Sequence, residues 1–125
     1  MEMTLSLPLK KDRVFQLWHY TVSHGNLLIR SPKGSDSICG NNINNFDLYF
    51  TGVMYICSPR FFMGMEISES LDVPDDMNIK AVIEKYPNKT VYKIISMENE
   101  YYIIGQICLI EENDLDHMED KIDMF

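Results

Sequence analysis

From Phe46 to Cys57 (FDLYFTGVMYIC) apolar side chains recur with a two-residue period, which suits an extended strand with one face buried and does not suit an amphipathic helix. The period predicts Phe46, Leu48, Phe50, Met54 and Ile56 on one face. Asp47, Tyr49, Thr51, Val53, Tyr55 and Cys57 then fall on the other. Ser58-Pro59-Arg60 turns the chain, and Phe61 to Ser68 continues as a partner strand with Phe61, Met63, Met65 and Ile67 aligned.

Other segments repeat the pattern. Val14 to Ser23 and Leu27 to Arg30 read as a hairpin. With Gly25-Asn26 as a two-residue type II′ turn, Val22 lies opposite Ile29; a His24-Gly25 turn slips the register. Val91 to Met97 and Tyr101 to Ile110 flank the polar turn Glu98-Asn99-Glu100, and the second strand is apolar on both faces over Tyr102 to Ile104. Gly52, Gly64 and Gly105 sit inside strands, where glycine usually permits a bulge or bend. The expected fold is therefore α+β and mostly β: a strongly curved antiparallel sheet or partly open barrel of about six strands.

One helix is predicted. Over 75–86, Ile79, Val82, Ile83 and Tyr86 share a face, Asp75 or Asp76 can cap the start, and Pro87-Asn88 stops it. A short C-terminal helix is a further option, with Leu115, Met118, Ile122 and Phe125 near one side. Ser31 to Asn45 has neither period and reads as a long loop, of a length that in compact domains tends to be functional or mobile. At 125 residues the chain fits one β-rich domain over 1–110, followed by an acidic tail over 111–125.

The formal net charge is −8. Up to Ile110 there are 12 acids and 10 basic residues, while Glu111 to Phe125 holds 7 acids and only Lys121, so the excess belongs to the tail. Such a balance repels phosphate backbones and anionic lipid, so nucleic acid and membrane are not expected partners. Cys39, Cys57 and Cys108 are widely spaced and odd in number, which favours reduced thiols, and no signal-peptide core or membrane span is seen. The expected location is cytoplasmic. Lys10, Lys11 and Arg13 form a small basic stretch, read as a solvated strand end that discourages edge pairing.

The sequence carries no G-x-G-x-x-G, P-loop, G-x-S-x-G, calcium-loop or HExxH pattern, so no cofactor, no metal and no catalytic residue is assigned. Cys39, beside Gly40, is the one thiol in an expected loop, and Cys57 and Cys108 alternate with apolar neighbours. His19, mid-strand, can share a polar patch with Thr21 and Arg30. Trp18, Tyr20, Phe50 and Met54 fit core packing better than a pocket.

Two functions follow as expectations, and the balance leans away from an enzyme. The first is a small binding protein, an acidic inhibitor or immunity-type protein, engaging a basic partner through Glu111, Glu112, Asp114, Asp116, Glu119 and Asp120. The second is a small-molecule-binding or hydrolytic domain with a pocket in the curved sheet, near Trp18, His19, Arg30 and Tyr49. The sequence leaves a homodimer open.

Overall fold

A computed structural model describes residues 7–34, 36–37, 40–41, 43–70, 72 and 74–125. In chain order the strands are β1 (Leu9–Thr21), β2 (Asn26–Ser31), the two-residue β3 (Asp36–Ser37) and β4 (Gly40–Asn41), β5 (Asn45–Cys57), β6 (Phe61–Glu69), β7 (Thr90–Ser96) and β8 (Asn99–Asn113). Helix α1 (Met77–Lys85) lies between β6 and β7, and a 3-10 turn (Ile122–Met124) ends the chain. The six long strands pair antiparallel in the order β1-β2-β5-β8-β7-β6, and β6 returns to β1. The curved sheet thus closes on itself as a ring, and β3 and β4 form a separate ribbon within the expected long loop.

The ring interior is apolar. Phe15, Ile29, Phe46, Leu48, Phe50, Phe62, Ile67, Ile94 and Ile103 are all buried there. Edge-on ring pairs, Phe15 with Phe46 and Phe50 with Tyr92, fill its width. Helix α1 buries Ile79, and the Asp76 carboxylate accepts from the Ile79 N–H at 3.0 Å, which closes the choice of N-cap left by the sequence.

Two glycines overturn parts of the expected alternation. Gly52 has φ +56° and Gly64 has φ +76°, the left-handed region that side chains with a Cβ avoid. Both sit at register irregularities that change the facing of nearby residues: β5 carries extra residues between Thr51 and Tyr55 against β8, and β1 carries one extra residue between Lys11 and Val14 opposite Gly64. After Gly52, Val53 turns into the core and Met54 turns out, reversing their predicted faces. Along β6, Phe62 is inside while Phe61 and Met63 are exposed, and beyond Gly64 the inward series resumes at Met65 and Ile67.

Three other expectations are corrected. The first hairpin pairs Thr21 with Asn26, so its loop is Val22 to Gly25 and neither two-residue turn forms. Gly25, at φ +63°, lets that loop pack on the Gly52 bulge, where its carbonyl accepts from Val53 N–H at 2.9 Å. Lys10, Lys11 and Arg13 do lie where β1 pairs with β6 alone, since its pairing with β2 begins at Gln16, but only Lys10 is exposed, and Lys11 and Arg13 are half-buried, not solvated. Arg13 instead donates to Ser31 Oγ and to the Ser31 and Asn44 carbonyls, and Lys11 lies over the Phe46 ring.

The β7–β8 turn is the two-residue Met97-Glu98, not Glu98 to Glu100, since Ser96 pairs with Asn99. Both turn residues have positive φ (51° and 66°), the geometry that strongly favours Asn-Gly. Replacing them by Asn-Gly is expected to raise stability by about 1–2 kcal/mol, because strained left-handed residues give way to tolerant ones. A higher urea midpoint at unchanged slope is the sign to look for.

Candidate functional site

Alternation along the four strands β1, β2, β5 and β8 gives the ring a second, partly polar face. It carries Trp18, His19 and Thr21 from β1, Asn26, Leu28 and Arg30 from β2, Asp47 and Tyr49 from β5, and Leu109, Glu111 and Asn113 from β8. Trp18 and His19 share this face because the β1–β2 register shifts between Leu17 and His19. The structure therefore brings Trp18, His19, Arg30 and Tyr49 together. Tyr20, opposite Leu27 and exposed, belongs to the other side of β1.

At the centre lies a buried ion pair. Arg30 Nε and Nη2 donate to the two Asp47 oxygens at 2.7 and 2.9 Å, and both side chains are fully buried. Asp47 also accepts from Asn113 Nδ2 at 2.8 Å and, at 3.4 Å, from the Tyr49 hydroxyl. Burial acts to lower the Arg30 pKa, but the hydrogen bonds and charge of Asp47 outweigh it and hold it above its ordinary value. Burial pushes the Tyr49 phenol well up, so it stays neutral and accepts from the Lys121 N–H at 2.9 Å.

Residues 114–125 cross this face as a strap. Asn45 Nδ2 donates to the Leu115 carbonyl, and Asn26 Nδ2 donates to the carbonyls of Ile122 and Phe125. His19 Nδ1 meets Asp120 Oδ2 at 2.9 Å, and Lys121 Nζ pairs with Glu111 at 2.8 Å. Ile122 is 1% exposed and packs on Leu28 and Tyr49, while the Phe125 ring tilts against Tyr49 at 5.3 Å. The segment expected as an acidic tail is thus fixed by hydrogen bonds and one buried apolar anchor. Its helical content is only the 3-10 turn.

The tail acids have separate fates. Glu111 is buried as part of β8 and bound by Lys121 and Asn113. Glu112 lies opposite Phe46, on the other face of β8, where its charge acts on Arg13. Asp120 holds His19 and caps the Ile122 N–H. Asp114, Asp116 and Glu119 remain exposed, with Asp123 and the 94%-exposed Met118.

Between β1 and the strap runs an open groove of about 520 Å³ lined by Leu17, Trp18, His19, Arg60, His117, Met118 and Asp120. This corrects the expected pocket: the ring interior is filled, Arg30 is sealed under Trp18, and Arg60 supplies the groove's guanidinium. Sequence reasoning missed Arg60 and His117 because both reach the groove only through the fold. It also missed Asp47, although a lone carboxylate facing the same way as Tyr49 in an apolar strand is a signal that some cation must meet it.

Cys39 lies outside the described residues. Cys57 and Cys108 are free thiols, both exposed. The Cys108 sulfur donates to the Tyr49 carbonyl at 3.3 Å, and desolvation pushes its thiol up to about 11. Since the thiolate is the reactive form, iodoacetamide at pH 8 is expected to alkylate Cys108 at least ~10-fold more slowly than Cys57. Mass spectrometry of timed digests gives both rates.

No protein-family model matches the chain, and no curated protein or solved structure is significantly similar to it.

Proposed function

We propose that this chain is a cytoplasmic binding protein, non-enzymatic, that engages a basic protein partner through the strap in the manner of a small acidic inhibitor. The observation that carries the reading is the state of the strap. Asp114, Asp116 and Glu119 project from a backbone already held by Asn26, Asn45 and Tyr49, with Met118 exposed among them. A segment ordered beforehand loses little conformational entropy when it binds. Its carboxylates supply much of the chain's net charge of −8, which speeds encounter with a basic surface, and Met118 offers an adaptable apolar contact.

The test keeps the strap in place and removes its charge. The variant Asp114→Asn, Asp116→Asn, Glu119→Gln, Asp123→Asn alters exposed side chains and spares Glu111 and Asp120, which hold the fold. Partner capture from the source cytoplasm is expected to fall about tenfold or more and to weaken with added salt in the unaltered protein. Equal capture by both proteins, insensitive to salt, overturns the reading.

A further inference from the structure

We propose that the groove between β1 and the strap is a binding site for a small planar aromatic carboxylate. Its volume, about 520 Å³, falls in the range of small-molecule sites. The chemistry of its walls is divided. Trp18 and His117 present two rings 6.1 Å apart at 33°, and Leu17 and Met118 extend that apolar surface. Trp18 is backed by the buried Arg30 guanidinium at 5.5 Å, itself locked on Asp47, so the indole is set before any ligand arrives.

Arg60 supplies the charge. Among the described residues it has no carboxylate partner, although the chain carries 19 acids. Its guanidinium stacks over the Phe61 ring at 5.3 Å, which steadies the planar fork that grips a carboxylate through two hydrogen bonds. The acid in the groove, Asp120, is engaged by His19 Nδ1 and by the Ile122 N–H. An aromatic body on Trp18 with its carboxylate on Arg60 satisfies both halves of the site. A phosphate dianion suits it less, because a chain of net charge −8 repels two charges more strongly than one.

Trp18 is the chain's only tryptophan, so one indole N–H signal in the proton–nitrogen NMR spectrum reports on the groove. Titration with 2-naphthoate is expected to shift that signal saturably, with 2-naphthamide binding at least ~10-fold more weakly. Arg60→Gln should weaken naphthoate about tenfold and Arg60→Lys less. The Arg60 carbonyl that accepts from the Leu17 N–H is retained in both variants. Met118→Glu, at a fully open position, should weaken it as well by adding a like charge, and serves if the Arg60 variants fold poorly. Absence of a saturable shift, equal binding of the amide, or full binding by Arg60→Gln or by Met118→Glu overturns the site. Tighter binding of 2-naphthyl phosphate overturns the choice of carboxylate. The titration is independent of the proposed protein partner, and the charge-neutralised strap should bind naphthoate normally or better.

Discussion

Asp47→Ala is expected to destabilise the protein by about 3–5 kcal/mol, because it leaves the Arg30 charge buried with no counter-ion. Asn113 and Tyr49 lose an acceptor in the same step. At this chain length such a loss lowers the melting temperature by roughly 10–20 °C, visible by calorimetry or circular dichroism. Removing both charges is a different experiment. Arg30→Met with Asp47→Leu strands no charge, although Tyr49 and Asn113 each still lose one acceptor, Asn113 keeping Glu111, so the double variant is expected to regain most of what Asp47→Ala loses. A double variant as unstable as the single one would show that the pair's worth lies in its geometry and not in mutual neutralisation.

The second large effect is expected on removing residues 115–125. As a free acidic tail, this segment could be deleted with little change beyond net charge. As a strap, its removal uncovers Leu28 and Tyr49, unpairs Glu111 from Lys121 and His19 from Asp120, and leaves Asn26 without its two carbonyls. Loss of the Ile122 side chain alone costs about 2–4 kcal/mol, so the truncated chain should melt far lower and bind a hydrophobic dye. Ile122→Ala gives a graded version, with the same sign and a smaller drop. Unchanged melting of both would mean that the strap contributes nothing to the folded state. The same reasoning explains why truncation is a poor probe of partner binding here: it removes charge and fold together.

Much of the architecture was legible because alternation is a local signal. The β5 strand, the partner strand after Pro59, the β7–β8 pair and helix α1 need only neighbours in sequence to be recognised. Face assignment failed where a backbone angle, not a side chain, decided it. Gly52 and Gly64 were readable as bends, but the left-handed φ that sends Val53 inward and Met54 outward has no signature beyond the glycine itself. Met97-Glu98 misled for the opposite reason: neither residue belongs to the usual chemistry of the turn it occupies, so the polar run Glu98-Asn99-Glu100 reads as the turn.

The site was legible only on the sheet. Trp18, His19, Arg30 and Tyr49 reach one face through strand periodicity and hairpin pairing. The strap does not, because its partners Asn26, Asn45 and Tyr49 lie far back in the chain and its composition resembles that of a solvated tail. Ile122 was the available clue: a large aliphatic residue amid carboxylates needs somewhere to be buried.

Closure of the ring bears on how anything can be recognised. Each of the six long strands pairs with two neighbours, but over different parts of its length, so that stretches such as 10–15 of β1 and 61–65 of β6 are paired on one side only. A visiting peptide can join the hydrogen-bond ladder only at these half-paired stretches. Elsewhere recognition falls to side chains, and selectivity is set by residues such as Arg60 and Met118, which can change without disturbing the pairing of the strands.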